Sequence, residues 1–232
     1  VESNDASAGA GIDTAGSMGI YGYSYIKGNQ GIAGSAPYIT GGGIDNSGTL
    51  TIEDSVVSGN TSDYGGGISN YGTLTLTNSQ VSGNTATTSG GGIYNYGFSE
   101  SKAYLAVYGG AISSNSAAQK GGGIKNNASA TAHVYNGNLY ANSAAYGGGV
   151  YNDGALTVQG TTINGAGNGS ATHGGGIDNL GHATITGTTI SGYTAAEGGG
   201  IYNAHYGVMT INLDDSTPSS ISGNTATDGG GG

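Results

Sequence analysis

The sequence predicts an all-β solenoid, a right-handed parallel β-helix of about eight three-strand coils, and three observations lead to this fold class. Gly-Gly-Gly followed by Ile or Val recurs along the 232-residue chain. Aliphatic residues follow each triplet at fixed offsets, and Asn recurs at two further offsets. Self-similarity at such a period is typical of solenoids, in which each repeat forms one coil.

The glycine triplets set the period of the repeat. They start 24 to 31 residues apart, at Gly41, Gly65, Gly90, Gly121, Gly147, Gly174 and Gly198, and a last glycine run starts at Gly229. A degenerate copy starts at Gly9. We therefore predict one solenoid domain over 1–232: a degenerate first coil (1–40), seven regular coils (41–228) and the start of an incomplete coil (229–232). At each triplet we expect backbones so close that a Cβ would clash.

Three short strands are predicted in each coil. In the coil that starts at Gly41, Ile44 opens the first strand, Leu50 and Ile52 alternate with Thr in the second, and Val57 lies in the third. Period-two alternation is typical of a strand with one buried face. Longer repeats keep these offsets once extra residues between strands are removed, so we expect the insertions in turns.

Asn residues at two turns predict two hydrogen-bonded ladders. Asn tolerates left-handed backbone, and its amide can bond the same amide one coil away. After the first strand stand Asn46, Asn70, Asn95, Asn126, Asn152, Asn179 and Asn203. After the third stand Asn29, Asn60, Asn84, Asn115, Asn142 and Asn224, with departures at Ala166 and Tyr193. At about 4.8 Å per coil, eight coils would form a rod about 38 Å long.

Composition restricts the partners of the chain. It contains 51 Gly, 14 acidic residues and four lysines without any Arg, for a net charge of −10. A nucleic acid or an anionic membrane needs a basic surface, so neither is an expected partner. Cys is absent, so the chain has no disulfides or thiolate metal sites. No apolar run has the length of a membrane span, so we expect no membrane insertion. The acidic, polar composition favours an extracellular or cell-surface location.

Several repeats resemble those of bacterial parallel β-helix surface proteins. Gly198–Asn203 reads Gly-Gly-Gly-Ile-Tyr-Asn, Thr73–Asn78 reads Thr-Leu-Thr-Leu-Thr-Asn, and Ile221–Ala226 reads Ile-Ser-Gly-Asn-Thr-Ala. Passenger domains of polymorphic outer-membrane proteins and autotransporter adhesins are the most similar type, and the likeness covers nearly the whole chain. The resemblance implies a secreted or surface-displayed, non-catalytic, structural or adhesive protein.

Catalytic, cofactor and metal sites are not predicted. A polysaccharide lyase of this fold class usually needs an Arg, which the chain lacks. A hydrolase needs paired carboxylates at a fixed separation, and Asp214-Asp215 and Glu53-Asp54 are the candidate pairs; a solvated acidic loop explains the first pair better. The histidines His173, His182 and His205 lie in neighbouring coils at different offsets, which favours scattered surface positions. A carbohydrate-binding or carbohydrate-cleaving β-helix stays an alternative.

Two surface columns suggest binding functions. Thr51, Thr75, Thr131, Thr157 and Thr184 lie ten residues after a triplet starts. A second alternative function is therefore ice binding through this column, although the strand propensity of Thr alone also explains it. Among 17 Tyr, one offset is shared by Tyr94, Tyr151 and Tyr202, and another by Tyr71 and Tyr96. These rings could stack on surface glycans or on another subunit.

The two ends of the chain suggest self-association. The segment Ser3-Asn4-Asp5 resembles the last third of a coil, and Gly229 stands where another coil would start. Either the coils continue in a longer chain, or two copies meet head to tail and form an open filament. The candidate junction residues are Ser3, Asn4, Asp5, Ile221, Asn224, Gly229 and Gly232.

Overall fold

The structure is a computed structural model that describes residues 1–6, 8–31, 40–165, 171–212 and 217–230. Within these residues every regular element is a β-strand, and all strand pairs are parallel. The strands form about eight stacked coils, which confirms the predicted solenoid. None of the described elements is a helix with the length and apolarity that crossing a membrane requires.

The strands follow one another coil by coil. The first three coils and the strand before them contain β1 (Asp5–Ala6), β2 (Ile12–Thr14), β3 (Ser17–Ile20), β4 (Tyr25–Lys27), β5 (Gln30–Gly31), β6 (Ile44–Asn46), β7 (Thr49–Glu53), β8 (Val56–Ser58), β9 (Thr61–Tyr64), β10 (Ile68–Asn70), β11 (Thr73–Thr77), β12 (Gln80–Ser82) and β13 (Thr85–Ser89). The fourth, fifth and sixth contain β14 (Ile93–Asn95), β15 (Ala103–Tyr108), β16 (Ala111–Ser113), β17 (Ser116–Ala117), β18 (Ile124–Asn126), β19 (Ala130–Tyr135), β20 (Asn138–Tyr140), β21 (Val150–Asn152), β22 (Ala155–Gln159), β23 (Thr162–Asn164) and β24 (Ala171–His173). The last two contain β25 (Ile177–Asn179), β26 (His182–Thr186), β27 (Thr189–Ser191), β28 (Thr194–Glu197), β29 (Ile201–Asn203), β30 (Val208–Asn212), β31 (Ser220–Ser222) and β32 (Thr225–Gly229).

Stacking of the coils produces three eight-stranded sheets, one for each predicted strand. Most coils also have a short fourth strand, such as β9, in a segment that the sequence analysis treated as a turn. These extra strands form a five-stranded and a three-stranded sheet. The predicted insertion between Asn95 and Leu105 lies in the turn that joins β14 to β15.

The core is a set of aliphatic columns that run along the solenoid. Ile44 pairs with Ile68 in the next coil, Leu50 with Leu74, and Val57 with Val81. All six side chains are buried. The offsets predicted from the repeat are therefore the inward positions. Fourth strands contribute small side chains such as Ala86 and Ala195, so the coil narrows on that side.

The glycine triplets have the steric function that the sequence predicts. Gly65 has a φ of +63°, in the left-handed region. A Cβ on Gly66 would lie 2.5 Å from the carbonyl oxygen of Thr85, and one on Gly67 would lie 2.6 Å from that of Gly92. Both contacts are too short for any side chain. The triplet thus permits direct backbone contact between successive coils.

The first ladder joins Asn46 to Asn203 through all seven predicted residues. Each Nδ2 donates to the Oδ1 of the next Asn at 2.7 to 2.8 Å. From Asn46 to Asn179 the side chains are fully buried. This ladder is therefore continuous along the sheet of first strands.

The second ladder starts one step earlier than the sequence predicts. Asn4 Nδ2 donates to Asn29 Oδ1 at 2.9 Å, so this candidate junction residue belongs to the ladder. The same contact continues at 2.9 to 3.0 Å through Asn60, Asn84 and Asn115 to Asn142. Tyr193 takes the ladder position in the seventh coil, and its backbone N–H donates to Asn224 Oδ1 at 3.0 Å. Ala166 lies outside the described residues.

Candidate functional site

Three columns on the outer face of the first strands form a groove along the solenoid axis. The middle column consists of the central residue of each first strand: Asp13, Asp45, Ser69, Tyr94, Lys125, Tyr151, Asp178 and Tyr202. On one side lie the residues that precede the triplets, including Thr40, Tyr64, Lys120, Tyr146 and His173. On the other side lie residues that follow the first-ladder Asn, including Tyr71, Tyr96, Asp153 and Leu180. We call these three columns the groove.

An aromatic cleft occupies the part of the groove over the second to fourth coils. It has a volume of about 350 Å³ and is lined by Thr40, Tyr64, Tyr71, Tyr94, Tyr96 and Phe98. Tyr94 and Tyr96 are stacked with their centroids 5.5 Å apart, and Tyr96 meets Phe98 edge-on at 5.2 Å. All the aromatic lining side chains keep part of their surface exposed. The cleft therefore presents ring faces and hydroxyl groups to solvent.

A mostly buried carboxyl group adjoins the aromatic cleft. Asp45 Oδ2 accepts a hydrogen bond from Thr40 Oγ1 at 2.8 Å, while Asp45 Oδ1 is buried and accepts none from the described residues. Burial raises the pKa of Asp45 to about 6; the bond from Thr40 opposes this shift, and the charge of Asp13 adds to it. Burial, together with the Asp45 charge, also raises the pKa of Tyr71 to about 12. Asp45 Oδ1 can thus accept a further hydrogen bond.

A charged cleft occupies the groove over the fifth to eighth coils. It has a volume of about 410 Å³ and is lined by Lys120, Tyr146, Tyr151, His173, Asp178, Leu180, Tyr202 and Ala204. His173 is stacked on Tyr202 with centroids 4.4 Å apart. The floor is closed by Tyr151, whose ring centroid lies 4.7 Å from Lys120 Nζ and 4.4 Å from Lys125 Nζ. Both cation–π contacts hold the two lysines over one ring.

Beneath the charged cleft lie one buried ion pair and one buried carboxyl group outside that pair. Lys125 is 4% exposed and forms an ion pair with Asp153. Burial lowers the pKa of Lys125, and the charge of Asp153 opposes that shift. Asp178 is 1% exposed, and its Oδ1 accepts no hydrogen bond from the described residues. Burial raises the pKa of Asp178 to about 6, whereas the charge of His173 lowers it.

The predicted tyrosine offsets belong to this groove, but its charged residues were missed. Tyr94, Tyr151 and Tyr202 share the middle column, and Tyr71 and Tyr96 share a flanking column. Lys125 and Asp153 were not predicted to pair, because no other coil has a Lys and an Asp at these two offsets. One signal was available: both occupy offsets that hold Tyr in other coils.

The predicted Thr column is partly wrong. Thr51 pairs with Thr75, and Thr157 with Thr184, as expected. Thr131 pairs instead with Tyr104 and Ala155, so it lies in the neighbouring column. The reason is the two-residue insertion before β19, which shifts the strand relative to its triplet. Ala106 and His133 occupy the Thr column in the two middle coils.

The remaining candidates are dispersed over the molecule. His173 lies in the groove, His182 on the outer face of β26, and His205 in a turn against Tyr206. Glu53 ends β7, and Asp54 has a φ of +49° in the following turn. Asp214 and Asp215 lie outside the described residues. Within the described ranges no cluster of three or more His, Asp or Glu could hold a metal ion.

The junction candidates that the structure describes lie just before the first coil and in the last coil. Ser3 N–H donates to the carbonyl of Lys27 at 3.2 Å, and Asp5 pairs with Gln30. Ile221 pairs with Ile190 and is only partly buried. Gly229 pairs with Glu197, while Gly232 lies outside the described residues.

Comparisons with protein-family models, with curated proteins and with solved structures give no match to this chain.

Proposed function

We propose that this chain is a non-catalytic structural and adhesive protein of the extracellular space or cell surface. The observation that carries this proposal is the stacking of eight coils in register, with continuous aliphatic columns and with two asparagine ladders, of which the first is continuous. Such a scaffold is a stiff rod that displays outer-face side chains at a constant spacing. Resemblance of the repeats to those of bacterial surface passengers supports the same role.

Stacking between solenoids is the second part of the proposal. In the eighth coil, Ile211 is 38% exposed, whereas Ile185, its partner in the seventh coil, is 1% exposed. Met209 and Ile221 are likewise only partly buried. Strand edges that carry apolar side chains favour pairing with another strand. We propose that this face stacks on a coil of a second copy, head to tail, or on a further coil of a longer chain.

Composition and the groove support the proposed partners. The net charge of −10 opposes contact with nucleic acid or anionic membrane. The partners that we propose are the chain itself, or neighbouring coils, and surface glycans. The groove supports the glycans because it presents aromatic ring faces to solvent. The protein needs no cofactor for these roles.

Electron microscopy and light scattering of purified protein over a concentration series test the stacking. We expect rods that lengthen in steps of one chain as concentration rises. Ile211→Asp should prevent this growth, because it places a charge on the stacking face. Tyr140→Asp is the matched control, since Tyr140 lies outward on a different sheet at 46% exposure. Rods of one chain at all concentrations would contradict the self-stacking proposal.

Ice binding and polysaccharide cleavage have direct tests. An ice-binding face predicts thermal hysteresis that falls when Thr75 or Thr157 is enlarged. These two residues lie in one column, which Ala106 and His133 interrupt. Cleavage predicts shorter saccharides that disappear on changing Asp214 and Asp215. Either result would replace the non-catalytic structural role as the main function.

A further inference from the structure

We propose that the groove binds an uncharged polysaccharide chain, which lies along the solenoid axis and contacts both clefts. This inference rests on the adhesive role proposed above and gives that role a chemical class of ligand. Three features of the groove support it: exposed ring faces, buried carboxyl oxygens without donors, and the balance of charge.

Ring faces in both clefts suit the apolar faces of sugar rings. Tyr71, Tyr96 and Phe98 are exposed or half-buried in the aromatic cleft, and Tyr202 is half-buried in the charged cleft. An aromatic side chain offers a large apolar surface, and Tyr adds a polar hydroxyl at its tip. Neighbouring rings hold one another at centroid distances of 4.4 to 6.0 Å. They are thus preorganised, and little ordering of side chains accompanies binding.

One carboxyl oxygen towards each end of the groove accepts no hydrogen bond from the described residues. Asp45 Oδ1 and Asp178 Oδ1 are two of the three buried side-chain polar atoms of the described residues without a partner. Both belong to the middle column, beside ring faces. A buried acceptor without a donor is unfavourable, so a ligand hydroxyl that reaches it gains a strong bond. A sugar ring brings an apolar face and hydroxyl donors together, whereas a run of consecutive prolines, which have no backbone N–H, brings only the first.

The charge of the groove favours an uncharged polysaccharide over an acidic one. The ion pair with Asp153 neutralises Lys125, and the Lys120 ammonium lies over the Tyr151 ring. Asp45, Asp178 and Glu197 add negative charge along the groove, with His173 3.9 Å from Glu197. Uronate or sulfate groups would meet net repulsion here, in a protein that carries a charge of −10.

The dimensions of the groove suit a polymer better than a single sugar. Both clefts, at about 350 and 410 Å³, lie in the usual range for small-ligand sites. Tyr94 in the fourth coil and Tyr151 in the sixth are two steps apart in one column, about 10 Å at the usual strand spacing. A chain that fills both clefts gains from the second contact without a new association step.

Calorimetric titration of the purified chain tests the inference. The probes are cello-, xylo-, manno- and laminari-oligosaccharides, each as disaccharide and hexasaccharide, with hexagalacturonate as the acidic probe. We expect at least one neutral hexasaccharide to bind, at least tenfold more tightly than its disaccharide. The galacturonate should not bind at physiological salt.

Matched variants locate the binding. Tyr96→Ala removes a ring from the aromatic cleft, and Asp178→Asn exchanges the buried acceptor in the charged cleft. Each should weaken hexasaccharide binding about tenfold or more. Tyr140→Ala is the control, because Tyr140 is exposed on another sheet. Circular dichroism melting of each variant separates loss of binding from loss of folding.

The outcomes separate this inference from the proposed function. No binding to any neutral probe, preference for galacturonate, or equal loss in the Tyr140→Ala control would overturn the glycan ligand. Rod growth in the microscope would then still support the structural role. Binding with release of shorter saccharides would keep the ligand and overturn the non-catalytic part of the proposed function.

Discussion

The two asparagine ladders follow two corners of the same coils, yet only the first is continuous. In the first ladder, Asn95 donates to Asn126 Oδ1 and to the carbonyl of Thr131, and accepts from Asn70. In the second, the side chain of Asn84 takes part in four hydrogen bonds. It donates to Asn115 Oδ1 and to the carbonyl of Val57, and its Oδ1 accepts from the N–H and the Nδ2 of Asn60.

Tyr193 shows what happens where the second ladder lacks an Asn. Its side chain is 2% exposed, and a Cβ on Gly165 would lie 2.5 Å from the ring. The ring also passes under two glycine triplets, since a Cβ on Gly149 would lie 3.1 Å from the Tyr193 hydroxyl. The glycines leave room for the ring, but the hydroxyl finds no partner among the described residues.

This difference teaches that backbone pairing, and not the ladder, sets the register of the coils. Across the interruption Ile163 still pairs with Ile190, and Ile190 with Ile221. The ladder amide satisfies buried polar groups at a corner, where a ring can replace it if neighbouring residues are small.

The largest effect is expected where a triplet faces the second ladder. Gly67→Ala would place a Cβ 2.6 Å from the Gly92 carbonyl oxygen and 2.9 Å from Asn84 Nδ2. Since a backbone atom cannot move without shifting the coil, we expect a loss of about 3 kcal/mol or more in the free energy of unfolding. Urea denaturation measures it. Gly16→Ala is the control, because a Cβ there has no neighbour within 4 Å; equal losses would refute the steric role of the triplet.

Removing one amide from each ladder compares them directly. Asn84→Ala leaves more groups without partners than Asn95→Ala, so we expect losses of about 3 and about 2 kcal/mol, respectively. Asn138→Ala is the control, since Asn138 is exposed at the start of β20. Urea denaturation with a constant slope would give the three values. A larger loss for Asn95→Ala would show that the hydrogen-bond count does not rank the ladders.

A pH dependence is expected on the side of the first ladder, where two buried carboxyl groups lie. Asp45 and Asp178 precede the ladder residues Asn46 and Asn179, and burial raises both pKa values to about 6 from 3.8. The folded state therefore holds protons that the unfolded state releases, and stability falls as pH rises from about 4 to about 6. After allowance for solvent screening, we expect the pair to account for roughly 2 kcal/mol.

Melting temperature measured from pH 4 to pH 8 tests this assignment. The double variant Asp45→Asn, Asp178→Asn should show a weaker decline than the unchanged chain, because Asn does not titrate. Asp63→Asn is the control, since its carboxylate lies on the fourth strand near Thr87. An unchanged decline in the double variant would place the pH dependence elsewhere.

Inward positions were predictable from the sequence because a shared core imposes the same requirement on every coil. Ile44, Leu50 and Val57 recur at their offsets since each packs on its counterpart above and below. The fourth strand was not predicted, because β9 is polar and its sheet needs only small inward side chains. Thr131 was misplaced for a related reason: its register follows the core residues Ala132 and Val134, whereas the triplet lies before the insertion.

The groove was less predictable than the core, because the contacts within it do not repeat. Lys125 meets Asp153 across one coil step and one column, and no other coil has this pair. The shared Tyr offsets indicated an outward column. They did not predict the burial of Asp178 in that column, because this burial depends on the side chains on both sides of Asp178. Asn4 was assigned to a junction because Ser3-Asn4-Asp5 resembles the last third of a coil; the structure shows its contact with Asn29.

A small gain in stability is expected when the Tyr193 hydroxyl is removed at the interruption of the second ladder. Tyr193→Phe keeps the ring that fills the space beneath the triplets and removes the hydroxyl that lacks a partner. We expect a gain of about 1 kcal/mol in the free energy of unfolding. Tyr193→Asn should instead lose about 2 to 4 kcal/mol, because the amide leaves most of the ring volume empty. If Tyr193→Asn proved the more stable of the two, the amide contacts would outweigh the packing, and the ladder would be more than a local solution at one corner.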